Sequence, residues 1–336
     1  MARMLPLGGF ALFVGFLALA CLPHRAMAEW SAIADAKVLY TDNISELSAS
    51  RRLALAEDPS QPTRISIDKP SDVVWQPSID LRHRSRPTNL GATEVSVKAA
   101  GFIATENPLF NHGNYRIQVK QALDRETSIL LRYRYVPNLF LGPNFERRTG
   151  LRHLEEERVT SHVWHAELER RLNDSLTAAL VGRYGLRNYN EFFAERDTTF
   201  GTLGPQLEWK LTSTFSVTTA YLFERGLADG REQIQFRDDV SYRQHFVSIA
   251  VTMQFMPQLS CTVGYAYRRK EFTSEFVGDA NRGVVDQTHQ GGIDLLYQLT
   301  PAAALTAGFQ RTQRSSSAGI RDFFNTNTSL GVQYRF

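Results

Sequence analysis

The chain has little with which to build a cross-linked, helical or nucleotide-binding protein. It carries two cysteines in 336 residues. Cys21 lies in an apolar leader and Cys261 is left without a partner, so no internal disulfide framework is available. Past residue 28 no apolar run is long enough for a membrane-spanning helix. The formal net charge of +3 excludes a strongly basic nucleic-acid binder. No Gly-rich phosphate loop, CxxC pair or HExxH helix occurs, so the sequence points to no cofactor, metal or nucleic-acid partner.

What is present begins with residues 1–28. Arg3 precedes an almost wholly apolar run from Phe10 to Leu22, and Ala26-Met27-Ala28 follows as a small-x-small site. This pattern reads as a cleaved secretory signal peptide, leaving residues 29–336 as the exported domain. A lipidated Cys21 fits less well, because Ala18-Leu19-Ala20 departs from the small-residue pattern expected before it.

Beyond the leader, a hairpin unit recurs. Leu123–Thr127, Leu172–Ser175, Leu211–Thr214, Phe255–Gln258 and Leu299–Ala302 are short turns rich in Asp, Asn, Ser, Thr and Pro. They separate segments of period-two alternation. Ile129, Leu131, Tyr133 and Tyr135 oppose Arg132 and Arg134; Val263, Tyr265 and Tyr267 oppose Gly264, Ala266 and Arg268. The connections at the other end are longer and polar, over about 137–158, 188–199, 226–240, 271–288 and 314–322. Short turns at one end and long loops at the other are the asymmetry of a transmembrane barrel, and lipid accepts a sheet only if it closes.

The expected fold is all-β: a transmembrane antiparallel up-and-down β-barrel of about 14 strands, with about 12 and about 16 also fitting. Strands are expected at 34–41, 72–84, 93–105, 114–123 and 127–136, then in pairs through 313, and finally at 324–336. Residues 42–71, with Pro59, Pro62 and Pro70, form a long first external loop.

With the apolar face toward lipid, the polar face lines the lumen. Arg82, Arg84, Lys98, Arg116, Lys120, Arg132 and Arg134 then face Asp80 and Glu94, and later strands add Arg183, Arg187, Arg268 and Lys270 against Glu167, Glu169 and Glu224. A positive wall in a narrow aqueous pore concentrates anions. Cross-strand pairing that merely keeps the lumen wet weighs about evenly against it. Residues 137–158 are expected to fold inward as a constriction. The Glu155–Glu157 run reads as a solvated loop, and Cys261 as a small lipid-facing residue.

An enzymatic barrel has thin support. Asp238-Asp239 with His245 and Ser161-His162 with His165 have no spacing that defines a mechanism, and His162 and His165 fall on opposite faces of one strand. The chain is therefore read as non-enzymatic.

The final Tyr334-Arg335-Phe336, preceded by alternate apolar residues, resembles the C-terminal strand of bacterial outer-membrane proteins. The resemblance implies that Tyr334 and Phe336 form the signal read by the barrel-assembly machinery. It also implies residence in the outer membrane among lipid and lipopolysaccharide. Tyr40-Thr41-Asp42-Asn43-Ile44, with Pro77-Ser78-Ile79-Asp80-Leu81 further on, is similar to the start of porin-like barrels associated with exopolysaccharide synthesis and export. That resemblance implies passage of a hydrophilic solute, anionic or saccharide. A non-conducting barrel anchoring an envelope complex is the competing expectation.

Overall fold

A computed structural model describes residues 29–47, 69–85, 91–319 and 321–336. The signal peptide expected at 1–28 and the central part of the loop expected at 42–71 lie outside these residues.

The strands are β1 (Glu29–Thr41), β2 (Asp72–Ser85), β3 (Thr93–Ala104), β4 (His112–Ala122), β5 (Thr127–Phe145), β6 (Leu154–Arg171) and β7 (Leu176–Tyr189). They continue as β8 (Thr198–Thr212), β9 (Phe215–Ala228), β10 (Tyr242–Met256), β11 (Leu259–Phe272), β12 (Val285–Gln298), β13 (Ala303–Ser316) and β14 (Phe323–Arg335). Each pairs antiparallel with its neighbours in sequence, and β1 closes on β14 to make a 14-strand barrel. Closure runs through Val38↔Leu330, Ala36↔Val332 and Ala34↔Tyr334, which leaves no unpaired edge. Among the described residues no helix is long and apolar enough to cross a membrane.

The two faces of the sheet differ sharply. Trp75, Ile79, Leu81, Leu131, Trp164, Leu180, Leu203, Val263, Leu305 and Leu330 are large, apolar and exposed on the outer face. A surface of this kind is stable only against lipid. Cys261 shares that face and is covered by its neighbours.

Several strands run further than their alternation suggests. β1 starts at Glu29 rather than Ala34. The expected loop 137–158 is mostly strand: β5 continues to Phe145 and β6 begins at Leu154, so only residues 146–153 connect them. Pro137 falls within the register shift between Val136 and Leu139, where a bulge frees the proline from the donor it lacks, and Pro143 pairs with Glu156 just beyond a second shift at Phe140/Gly142.

This extended hairpin leans over the barrel mouth. Phe140 joins a cluster with the inward-facing Val74 and Phe102 and with Ile44, Leu47 and Phe110. Leu139 and Leu141 pack instead with Val159, Tyr189 and Phe193. Apolar burial on both sides fixes the segment in place.

Candidate functional site

Three rows of side chains line one wall of the lumen, read directly from strand pairing. The first is Asp80–Lys98–Arg116–Arg134, one residue from each of β2 to β5. The second is Arg82–Ser96–Gln118–Arg132–His165–Arg183. The third is Arg84–Glu94–Lys120–Leu130–Glu167. The seven basic residues singled out from sequence thus share one face of four consecutive strands.

Their compensation is partial. Arg82 and Arg116 converge on the same Asp80 oxygen at 3.1 and 3.0 Å. Lys120 reaches Glu169 at 3.2 Å, and Arg132 Nε donates to Gln118 Oε1 at 2.9 Å. Arg183 Nε lies 3.3 Å from His165 Nδ1, whose other nitrogen lies 3.3 Å from Glu167. Lys98, Arg116 and Arg134 nevertheless stand on adjacent strands at one level, and like charges directly opposite one another repel. With Asp80 shared between two guanidiniums, the Asp80–Lys98–Arg116–Arg134 row carries more cations than carboxylates. An anion in the lumen would relieve that imbalance.

Above this wall, Arg187 anchors a buried network. Its Nη1 donates to the Tyr242 hydroxyl at 2.6 Å, and that hydroxyl donates to Glu224 Oε1 at 2.6 Å. Thr202 Oγ1 donates to the other Glu224 oxygen at 2.7 Å. The Arg187 guanidinium also sits 4.0 Å from the Phe200 ring centre. Local sequence makes the room: a Cβ on Gly185 would meet Phe200 at 2.1 Å, and one on Gly226 would meet Tyr242 at 2.3 Å.

At the external mouth the loops are tied together by charge. Arg196, in the β7–β8 loop, meets Glu157 of β6 at 2.8 Å and Asp238 of the β9–β10 loop at 2.7 Å. Asp238 accepts from Asn281 Nδ2 of the β11–β12 loop at 3.3 Å. Arg321 then donates to Asn281 and lies 3.7 Å from Asp286. Arg314 completes the circuit, donating at 3.3 Å to Oε2 of Glu46, which lies within the helical turn at residues 44–47. The tip of the β5–β6 hairpin joins in, with Arg148 3.5 Å from Glu195 and Arg147 donating to the Arg237 carbonyl.

Burial divides the interior in two. Glu224, Gln244, Arg268, Thr312 and Asn325, all facing inward near the external end, are at most 2% exposed. Near the opposite end, Lys120, Glu169, Glu208 and Lys210 side chains are 36–59% exposed. The lumen is therefore open at the end holding the short turns and packed at the end holding the long loops.

The loop acids respond to this packing. Burial pushes Asp197 up to about 6, and neighbouring Asp229 adds to the shift. Burial also raises Glu195 and Asp239. Burial opposes charge on Arg196 too, but Asp238 and Glu157 outweigh it and hold the guanidinium ionised. Arg196 in turn keeps Asp238 below the ordinary carboxylate range despite its burial.

Other sequence-derived candidates separate. His245 faces outward and its Nδ1 lies 2.8 Å from the Tyr221 hydroxyl, away from Asp238. His162 pairs outward with Tyr133 at 2.7 Å, whereas His165 faces the lumen. Glu157 is not a solvated loop residue; it is fully buried against Arg196 and accepts from Asn144 Nδ2 at 3.0 Å. Tyr334 and Phe336 lie at the exposed end of β14 with ring centres 4.7 Å apart. The mouth network was missed in the sequence, although Phe192-Phe193 just before Glu195-Arg196 marks a loop with a core of its own.

Comparison with known proteins fits this geometry. Residues 233–336 match the family model "Putative beta-barrel porin 2". The outer membrane channel DcaP of Acinetobacter baumannii superposes with a TM-score of 0.54 at 9% identity, covering 94% of this chain and 99% of that one. The fold is that of an outer-membrane porin. In-vitro folded OmpT, an outer membrane protein of Vibrio cholerae, aligns over 94% of this chain and 99% of its own at 9% identity and a TM-score of 0.51. A bacterial polysaccharide outer membrane secretin aligns over 90% of this chain and 98% of its own, at 8% identity and a TM-score of 0.50. No curated protein matches the porin-like chain.

Proposed function

We propose that this barrel sits in the outer membrane and passes hydrophilic anionic solutes, acidic saccharides included, through a lumen whose external mouth is latched by its own loops. The observation that carries the reading is the contiguous Lys98–Arg116–Arg134 row, with Asp80 as its carboxylate neighbour. In a confined aqueous path that surplus concentrates anions and repels cations. A carboxylated glycan or small organic acid is the matching cargo. The resemblance of Tyr40–Ile44 to exopolysaccharide-associated barrels, and the fold shared with a polysaccharide secretin, favour a role in glycan export.

The packed mouth favours a second reading, a non-conducting anchor for an envelope complex. Electrical recording separates the two. In a planar bilayer under a KCl gradient the barrel conducts in brief openings, with a reversal potential on the anion side. Substituting Arg116→Gln and Arg134→Gln moves that potential toward zero. Absence of openings even after the loops are removed supports the anchor, and cation preference contradicts the proposal.

A further inference from the structure

Asp80 holds two arginines through a single oxygen. Its Oδ2 accepts from Arg82 Nη2 at 3.1 Å and from Arg116 Nη2 at 3.0 Å. Arg82 stands two residues along β2, on the same face. Arg116 belongs to β4 and reaches across Lys98 of β3, which is the cross-strand partner of both Asp80 and Arg116.

The arrangement is incompletely satisfied. Among the described residues, Asp80 Oδ1, Arg82 Nε and Arg116 Nε are buried and find no hydrogen-bond partner. Each guanidinium therefore gives Asp80 one N–H from its Nε–Nη2 edge, although such an edge can grip a carboxylate through two parallel bonds. The side chains of Arg82 and Arg116 are 41% and 28% exposed, that of Asp80 only 6%. The arginines thus stand between the acid and the water of the lumen, and a solute meets them first.

We infer that Arg82, Lys98 and Arg116 form a discrete subsite for one carboxylate group of a passing solute, with Asp80 as its specificity-determining residue. Asp80 is a resident carboxylate that the solute displaces from the guanidinium edges on arrival and that takes them back on departure. The inference rests on the reading of this wall as an anion path, and adds what sets the grip of that path on its cargo. Conduction needs binding loose enough to release. A carboxylate built into the wall, competing for the same donors, supplies that looseness.

Asp35 of β1 provides a control. Ile33 is the cross-strand partner of Asp80, so Asp35, two residues on, also faces the lumen. It takes no part in the bridge between the two arginines.

The test titrates citrate, a tricarboxylate, into the folded full chain in neutral detergent, where binding is read without any current. Asp80→Asn binds citrate about tenfold more tightly than the wild type, the scale of one charge-assisted hydrogen bond regained. Asp35→Asn, an equal change in net charge, moves the affinity far less. Adding Arg116→Gln to Asp80→Asn cancels the gain. Equal tightening in the two single variants reduces Asp80 to background charge and overturns the inference. Weaker binding in Asp80→Asn does so too, since it makes the carboxylate a scaffold for the arginines. The wild type gives a check that no folding defect can spoil: in crystals grown with saturating citrate, Arg116 Nη2 has left Asp80 for a citrate oxygen. An intact Asp80–Arg116 contact there is the contrary result. Tighter citrate binding by Asp80→Asn, in a barrel whose wild type carries no anion current, removes the transport reading and leaves the subsite standing.

Discussion

Arg196 Nε lies 2.7 Å from Asp238 Oδ2, and both side chains are buried. Residues 42 positions apart thereby tie the β7–β8 loop to the β9–β10 loop. The pair is the centre of the latch over the mouth. Removing one partner strands the other charge out of water, the costly way to break a buried ion pair. Arg196→Met leaves Asp238 and Glu157 uncompensated, which costs about 3–5 kcal/mol. Hydrogen exchange in residues 190–197 and 229–241 should accelerate strongly while the strands stay protected. The open fraction in bilayer recordings should rise.

Acidification has the opposite effect on part of the latch. Burial, aided by Asp229, pushes Asp197 up to about 6, so the folded loop favours the neutral acid over the ionised one. The loop is relatively most stable below the ordinary aspartate range and loses that stability as pH rises through about 6. Arg148 and the Tyr189 backbone N–H face the same carboxyl and limit the shift. Between pH 7 and pH 5, exchange in 190–197, corrected for intrinsic rates, should slow. Asp197→Asn should flatten that dependence.

Gly226 faces the Tyr242 ring at a distance that leaves no room for a Cβ. Gly226→Ala drives the ring off its Arg187 and Glu224 partners. Overpacking of this kind costs about 1–3 kcal/mol. The heat-modifiable band should unfold at a lower temperature, while a substitution at Gly201, where a Cβ meets nothing within 4 Å, should leave it near wild type.

Phe336 is 73% exposed and makes its strand contacts through backbone, its N–H donating to the Ala32 carbonyl at 2.9 Å. If its ring serves assembly rather than packing, Phe336→Ala should reduce the fraction of folded barrel in the membrane several-fold. The unfolding temperature of barrels that do fold should stay unchanged.

The hairpin plan was legible because two local rules coincide. Period-two alternation defines each strand, and turn residues such as Asn173-Asp174-Ser175 fix where it reverses. The loop 137–158 was misread because Pro137 and Pro143 signal a break, whereas β5 absorbs Pro137 in a bulge and carries Pro143 in register opposite Glu156. The latch was illegible for another reason. Its partners are brought together by closure alone, as Arg314 and Glu46 are across 268 positions, and no local pattern in either segment encodes the other. Lumen charges fell between these cases. Strand parity showed which residues share a face, but only the register put Lys98, Arg116 and Arg134 in one row.

The account depends on Arg134 facing water and its β5 neighbour Leu131 facing lipid. In a Cys261→Ser background, Arg134→Cys and Leu131→Cys barrels are reconstituted in vesicles and exposed to a membrane-impermeant anionic thiol reagent, with conductance followed. Modification of position 134, with loss of anion current, and no reaction at position 131 is the predicted result. Rapid labelling at 131 with position 134 protected would place the charges outside the conducting path and contradict the account.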